Sequence, residues 1–228
     1  MAVQMKIVYQ DLLRFFSEKP SKEDLSEKLY RLGHEHEIYG DIFDFEITPN
    51  RGDCLSLNGM ARELVHFFGE NKSIPINNDN IEEFEFDFEN RSLKDCPKIS
   101  FLEIEIEDSI SEYSSYFENF FSILGNKKIN FFTDISNYLS YELGQPTHCY
   151  DKDKLNGKLV FEKINRNEKF LSLLGTEIEL TNENCVFTID NKVENLAGIM
   201  GGEGTACSKK TRKVIIECAY FNPESIIG

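Results

Sequence analysis

The feature that most constrains the fold is a series of short apolar runs in the second half of the chain. Polar turn residues such as Asp190-Asn191-Lys192 separate these runs. Short runs bounded by turn residues are typical of β-strands, because helices need longer periodic segments. The predicted strands are Leu159–Lys163, Lys169–Leu173, Glu177–Leu180, Cys185–Ile189, Leu196–Ile199 and Val214–Phe221. We therefore expect a β-rich second half.

The first half of the chain carries helical patterns as well. Ser21 precedes a periodic apolar segment that ends at Gly33, which indicates a capped helix. The predicted helices are Tyr9–Phe16, Lys22–Leu32, Leu57–Phe68, Glu112–Leu124 and Phe131–Leu143. The first two are expected to form a helical hairpin. Because Phe43–Ile47 and Ile99–Ile106 alternate as strands, the predicted fold class is α+β.

A polar, acidic and aperiodic segment separates two parts of the chain. We expect Glu70–Asn90 to be a linker with a candidate edge strand at Phe84–Phe88. The prediction is a small N-terminal domain of helices and strands over residues 1–89. A larger, β-rich α+β domain is predicted over residues 90–228.

The charge of the chain limits its partners. It has 25 Lys and Arg against 40 Asp and Glu, a net charge of −15. Contacts between basic side chains and phosphate supply most of the nonspecific affinity of proteins for nucleic acid. Because this chain is strongly acidic, nucleic acid is not expected to bind through the overall electrostatic potential of its surface. Any such contact is expected to be local, with Lys209–Lys213 as its natural place, or to depend on a partner.

The sequence also limits the compartment and the metal chemistry. No run approaches the roughly 18 apolar residues of a membrane span, and Met1–Glu18 is too polar for a signal peptide. We expect a cytosolic protein without membrane contact, whose six cysteines are reduced and mostly buried. His34 and His36 lack the spacing of a helical zinc pair, so no metal site is predicted.

Four segments with polar, histidine or glycine residues could converge on one cleft. They are Asp134–Tyr138, Gly144–Asp151, Ala197–Gly202 and Ile216–Ala219. Glu217 lies in the apolar run VIIECAYF, where a buried carboxylate would need a partner or a purpose. Spacing alone favours the simpler alternative, in which Glu217 lies on an edge strand and faces water.

Two other candidates in these segments have a structural and a functional interpretation. His148 follows a predicted helix end and lies in a predicted loop, where functional residues are common, but a lone histidine is more often a structural hydrogen-bonding residue. Gly201-Gly202-Glu203-Gly204 would let backbone N–H groups face an anion, yet it lacks the GxGxxG pattern. Glycines of a hairpin or bulge are the simpler explanation.

The same segments resemble the N-terminal part of the bacterial phenylalanyl-tRNA synthetase β subunit. The motifs run in the family's order over nearly the whole chain. Its first-domain signature is similar to Thr48–Ser56 followed by Ala61–Leu64. Its editing module is similar to Asp134–Tyr138, Leu143–Pro146 with His148, Leu196–Gly202, and Glu217–Ala219 with Phe221 and Pro223.

The resemblance implies a proofreading hydrolase that releases tyrosine from mischarged tRNA(Phe). An apolar synthetic pocket rejects an added hydroxyl by only about 10²-fold, so a second site must select for it. By resemblance, Glu217 accepts the tyrosine hydroxyl, while His148 and Asn137 orient the ester and the hydrolytic water. Gly198, Gly201 and Gly202 would leave room for the aminoacyl group and supply backbone donors. A non-catalytic structural or docking module derived from the same family is the alternative.

The resemblance also implies partners outside this region. The parent enzyme of the family is an α2β2 ligase in protein biosynthesis that uses ATP and Mg²⁺ and binds the acceptor end of tRNA(Phe). No cofactor is expected in this region itself. The usual OB-fold insert is absent, since only Glu37–Glu46 join the flanking motifs. In the family, further motifs of the editing pocket would follow Gly228. The editing domain is therefore expected to be truncated at its C-terminal end.

Ser136 and Cys149 stand where the family usually has threonine and alanine, and Gly52 replaces a proline. These departures are mild.

Overall fold

The computed structural model describes residues 3–70, 81–108, 110 and 112–226. Packing divides the chain into two compact, discontinuous units. Unit 1 comprises Met1–Ile81, Ser111–Lys128 and Asn137–Pro146, and unit 2 comprises Glu82–Ile110, Ile129–Ser136 and Thr147–Gly228. The division expected between residues 89 and 90 stays a prediction about domains. Residues 71–80 of the expected linker lie outside the described residues.

Unit 1 is built on an antiparallel three-stranded sheet of order β1-β3-β2. Its strands are β1 (Val3–Val8), β2 (Glu35–Tyr39) and β3 (Ile42–Ile47). Phe43, Phe45 and Ile47 alternate along the central strand and are buried, which confirms the strand predicted there. The β2–β3 hairpin fills the short junction where the sequence showed no OB-fold insert.

Helices cover the buried side chains of this sheet. Among the described residues, unit 1 contains α1 (Tyr9–Leu12), α2 (Lys22–Leu32), α3 (Leu57–Phe68), α4 (Ser115–Ser122) and the second half of a helix over Phe131–Leu143. The α1 helix continues as a 3₁₀ turn over Leu13–Phe15, so the predicted helix at Tyr9–Phe16 is shorter and irregular. The α2 and α3 helices have their predicted bounds. Their apolar faces pack with β3 into one core that includes Leu25, Leu29, Met60 and Leu64.

Ser21 closes a capping box at the start of α2. Its hydroxyl accepts from the Asp24 amide, and the Asp24 carboxylate accepts from the Ser21 amide. We expect Ser21→Ala to lower the free energy of unfolding of unit 1 by about 1 kcal/mol, because the Asp24 N–H loses its side-chain acceptor. Urea unfolding measures the change. Ser122→Ala is the control, since that exposed hydroxyl bonds only within its own helix; equal effects of both changes would contradict the capping role.

Unit 2 contains most of the β-structure, in three sheets. A five-stranded sheet has the order β12-β11-β10-β7-β4, a three-stranded sheet has the order β5-β13-β6, and β8 pairs with β9. The strands are β4 (Phe88–Asn90), β5 (Lys98–Glu105), β6 (His148–Asp151), β7 (Leu159–Lys163), β8 (Glu168–Leu171), β9 (Glu177–Leu180), β10 (Cys185–Ile189), β11 (Lys192–Leu196), β12 (Met200–Gly201) and β13 (Lys213–Tyr220). The α+β class is confirmed.

Most predicted strands of unit 2 are confirmed, and two predictions are wrong. The expected edge strand at Phe84–Phe88 is reduced to β4, which begins at Phe88. The strand expected at Leu196–Ile199 lies earlier as β11, because Asp190 and Asn191 have positive φ and turn the chain directly into it. Gly198, with φ +69°, then belongs to the following turn.

Aromatic residues form the main core of unit 2. Phe161 of β7 and Phe187 of β10 are fully buried, with ring centroids 5.2 Å apart. Tyr150 of β6 reaches the same core, and its ring centroid lies 6.4 Å from that of Phe187. Tyr150 thus carries a hydroxyl group into this core.

Two helices complete the described chain. Helix α5 (Phe131–Leu143) has its predicted bounds and is followed by Gly144 at φ +75°. Helix α6 comprises Pro223–Ile226. Within the described ranges, no helix has the length and apolarity that a membrane crossing requires. The six cysteines are free thiols, four of them buried.

Candidate functional site

Glu217 lies on the central strand of its sheet. Strand β13 pairs on one side with β5 and on the other with β6, so Glu217 lies opposite Phe101 and His148. Its exposed fraction is only 5%. The interpretation of Glu217 as a water-facing residue of an edge strand is therefore wrong, because two partner strands cover this position.

The Glu217 carboxylate accepts a buried hydrogen bond. The Tyr150 hydroxyl donates to Glu217 Oε2 over 2.7 Å, and the same hydroxyl accepts from Asn195 Nδ2 over 2.8 Å. Tyr150 and Asn195 come from β6 and β11, which belong to different sheets. A polar chain of three side chains therefore crosses the interior of unit 2.

His148 lies beside this chain at the start of β6. Its ring meets that of Tyr150 edge to face, with centroids 4.4 Å apart and an interplanar angle of 79°. His148 Nε2 is buried, and no described residue hydrogen bonds to it. A buried polar atom without a partner is uncommon in folded proteins and marks a place where a ligand or water can bind.

Glycines border this histidine. A Cβ added at Gly201 would lie 2.3 Å from His148 Cε1 and 2.8 Å from Leu173 Cδ1, so only glycine fits there. At Gly202 an added Cβ would lie 2.5 Å from the Glu194 carbonyl oxygen. Gly198 has φ +69°, and its space is limited by the Phe221 ring. The glycines thus permit close packing around His148 and strand β11.

Burial shifts the protonation of both titratable side chains. Desolvation raises the pKa of Glu217 to about 7, against the lowering effect of the Tyr150 hydrogen bond. Desolvation lowers the pKa of His148 to about 4. Near neutral pH the imidazole is therefore uncharged, while the carboxyl group is close to its midpoint. Such opposite shifts in adjacent groups are common at functional sites.

Asn137 lies in the other unit. It is an exposed residue of helix α5 and belongs to unit 1, where it lines a concavity of about 540 Å³. The same concavity is lined by Lys6 of β1, by Lys127 and by Tyr141. His148, Glu217 and the three glycines all belong to unit 2. The structure thus brings His148, Glu217 and Gly201 together within one unit, and it places Asn137 in unit 1.

Sequence reasoning missed Tyr150 and Asn195. Neither residue stands in a recognisable motif, because a tyrosine or asparagine in a short strand has no distinguishing spacing. The signal that would have found Tyr150 is its position two residues after His148, on the same face of a strand. That signal required β6 to be predicted as a strand, whereas the sequence placed His148 in a loop.

Unit 1 holds a cluster of residue types that bind metals, which the sequence analysis did not predict. His34, Cys54 and Glu63 place ligand atoms within 4.8 Å of one another. An Arg51 guanidinium nitrogen already lies 2.9 Å from a Glu63 oxygen and 2.8 Å from Cys54 Sγ. Burial raises the pKa of the Cys54 thiol to about 11, so the thiol is protonated. The set does not fit Mg²⁺, which prefers oxygen ligands and water.

Comparison with protein families finds a match to the second half of the chain. A family model described as "B3/4 domain" matches residues 110–228. Those residues include β6, β11 and β13, and therefore the whole polar chain from Asn195 to Glu217.

Comparison with curated proteins shows similarity to beta subunits of phenylalanine–tRNA ligases. The subunit of Wolbachia sp. subsp. Brugia malayi is 30% identical over 210 residues, which cover 86% of this chain and 26% of that protein. The subunit of Carboxydothermus hydrogenoformans is 32% identical over 214 residues, covering 91% of this chain and 26% of that protein. The chain therefore spans about a quarter of the length of these relatives.

A solved structure has a similar fold. It is an N-terminal fragment of the phenylalanyl-tRNA synthetase beta subunit from Pyrococcus horikoshii, with a TM-score of 0.51. The match covers 98% of this chain and 70% of that chain at 16% sequence identity. At this identity the likeness concerns the fold alone.

Proposed function

The chain belongs to the B3/4 domain family, and from this premise we propose that it is the N-terminal portion of a phenylalanine–tRNA ligase beta subunit that carries a hydrolytic editing site. The substrate is tyrosyl-tRNA(Phe), and the reaction releases tyrosine. The proposal rests on the buried Glu217 carboxyl group beside His148, whose Nε2 has no described hydrogen-bond partner.

In this proposal Glu217 selects tyrosyl esters over phenylalanyl esters. A phenolic hydroxyl donates a hydrogen bond to its carboxylate, whereas a phenylalanine ring would leave a buried carboxyl group without that bond. Leaving a buried polar group unpaired costs about 1–3 kcal/mol, and more when the group is charged. Phenylalanyl esters are therefore disfavoured, which is the discrimination that the apolar synthetic site lacks.

His148 orients the hydrolytic water. Its pKa of about 4 keeps the imidazole neutral, and the free Nε2 accepts a hydrogen bond from a water molecule. The water oxygen forms a bond to the ester carbonyl carbon, the bond from that carbon to the ribose oxygen breaks, and the proton ends on the ribose oxygen. In this proposal Gly198, Gly201 and Gly202 give the aminoacyl group its space.

The wider role follows from the parent enzyme. We propose that the parent ligase is cytoplasmic, pairs this subunit with an α subunit as α2β2, binds the acceptor end of tRNA(Phe), and uses ATP and Mg²⁺ outside this region. The similarity to beta subunits over most of the chain supports this role.

The test is tyrosine release from tyrosyl-tRNA(Phe) by the chain, with phenylalanyl-tRNA(Phe) as the second substrate. We expect tyrosine-selective release, with a loss of about 10²-fold or more in rate in His148→Ala, because the variant lacks the group that orients the water. A chimeric beta subunit, in which this chain replaces the matching part of a curated relative, is assayed in parallel. No release by either protein would contradict editing and favour the alternative, a non-catalytic docking module.

A further inference from the structure

The Tyr150 hydroxyl can direct its hydrogen in only one way. Asn195 Nδ2 is a donor, so the hydroxyl accepts from it and retains its own hydrogen for Glu217 Oε2. Burial raises the pKa of Tyr150 well above its ordinary value, so the hydroxyl keeps that hydrogen throughout the physiological range. Asn195 therefore orients Tyr150, and Tyr150 donates to the carboxylate.

This bond occupies one of the two carboxylate oxygens. Among the described residues, none hydrogen bonds to Glu217 Oε1. The bond to Oε2 restricts rotation of the carboxyl group and leaves Oε1 as the oxygen for an incoming hydroxyl. A carboxylate accepts hydrogen bonds at both oxygens, so the phenol of a substrate can donate to Oε1 while the Tyr150 hydroxyl still donates to Oε2.

Tyr150 also contacts the other proposed site residue. Its ring is edge to face with His148, and its side chain has no exposed surface. Gly201 packs close to the same histidine. One fully buried side chain therefore touches both the proposed selecting group and the proposed water-orienting group.

We propose that Tyr150, oriented by Asn195, is a positioning residue that fixes the Glu217 carboxylate so that Oε1 receives the phenolic hydroxyl of the substrate. This inference rests on the proposed editing function and names the residue on which its selectivity depends. It also assigns Asn195 a role through Tyr150, without substrate contact.

Among the described residues, the groups with shifted pKa values that interact with Glu217 are His148, Tyr150 and three cysteine thiols, and each pKa lies outside the range from 5 to 8. His148 and Tyr150 come from β6, with pKa values of about 4 and well above 10. The thiols of Cys96, Cys149 and Cys218 also have raised pKa values because of burial, with those of Cys96 and Cys149 at about 11 and 12. A pH profile in this window therefore reports on Glu217.

The experiment combines ¹³C NMR of the Glu217 Cδ with the deacylation assay, using the whole chain, Tyr150→Phe and Asn195→Ala. Glu217→Gln identifies the resonance. Removing a hydrogen bond to the ionised form is expected to raise the titration midpoint by about one pH unit in Tyr150→Phe, and by less in Asn195→Ala. The preference for tyrosyl over phenylalanyl ester is expected to fall about tenfold in Tyr150→Phe.

Tyr220→Phe is the matched control, since Tyr220 ends the same strand as Glu217 and is 60% exposed. Its titration and selectivity are expected to equal those of the wild type. An unchanged Glu217 midpoint in a folded Tyr150→Phe or Asn195→Ala protein would overturn the positioning role, whatever the hydrolytic rates. Equal hydrolysis of both esters by the wild type would instead contradict the proposed function, and the NMR titration would still decide the role of Tyr150.

Discussion

Replacement of Glu217 by alanine is expected to remove the preference for tyrosyl-tRNA(Phe) over phenylalanyl-tRNA(Phe). The ratio of the two deacylation rates should fall about 10–100-fold, because a hydrogen bond to a charged group contributes about 1.5–3 kcal/mol and each 1.4 kcal/mol is tenfold. Most of the loss should come from slower tyrosine release. The measurement is the ratio of kcat/KM for the two esters.

Two variants separate this effect from general damage. Glu217→Gln keeps an oxygen that accepts from Tyr150 but removes the charge, so its ratio should lie between those of the wild type and Glu217→Ala. Glu105→Ala removes an exposed carboxylate on the neighbouring strand β5, which forms an ion pair with Lys213, and should leave the ratio unchanged. A wild-type ratio in Glu217→Ala would exclude this carboxylate as the selecting group.

The second large effect is on stability. The Glu217 pKa is about 7 in the folded chain and about 4.5 when exposed, so folding favours the protonated form. The resulting contribution of protonated Glu217 to the free energy of unfolding is fully present below pH 4.5 and is lost as pH rises through 7. A shift of this size corresponds to about 3 kcal/mol. Glu217→Gln should therefore match the wild type near pH 4.5 and exceed its stability by about 3 kcal/mol at pH 8.

The difference in stability between the wild type and Glu217→Gln separates the effect of Glu217 from that of His148. His148 has the opposite sign, because its pKa is lowered from 6.5 to about 4, so its contribution is lost as pH falls through 4. This contribution is common to both proteins and cancels in their difference. Urea unfolding at several pH values, with amide exchange in β13 as the local probe, gives the measurement. A difference that stays constant from pH 4.5 to 8 would show that Glu217 does not titrate as its burial indicates.

Local signals were sufficient to predict several elements of this fold. Helices α2, α3 and α5 have their predicted bounds, because each has an apolar period and a glycine directly after it. Strand β3 was predicted from its alternation. Strand β6 was not predicted, since its four residues acquire their conformation by pairing with β13, which lies far away in the sequence.

In the candidate site, too, local features were predictable and features that depend on distant strands were not. The family resemblance named His148 and Glu217, and the strand register places them opposite each other. The burial of Glu217 was not predictable from spacing, because strand order decides whether a strand is central, and strand order is not a local property. The Tyr150 and Asn195 pair was missed for a related reason, since their contact joins two sheets.

The position of β13 also orders events during synthesis. Lys98 of β5 pairs with Tyr220, so β5 leaves the ribosome on the order of ten seconds before its partner at the usual rate of about 5–20 residues per second. During that interval β5 has unpaired edges that can associate with other chains. Lys98, Glu103 and Glu105 place charges along it, which disfavour such association. Glu217 arrives with β13, so the hydrogen-bonded chain from Asn195 through Tyr150 to Glu217 cannot form until the last of its three strands has been made.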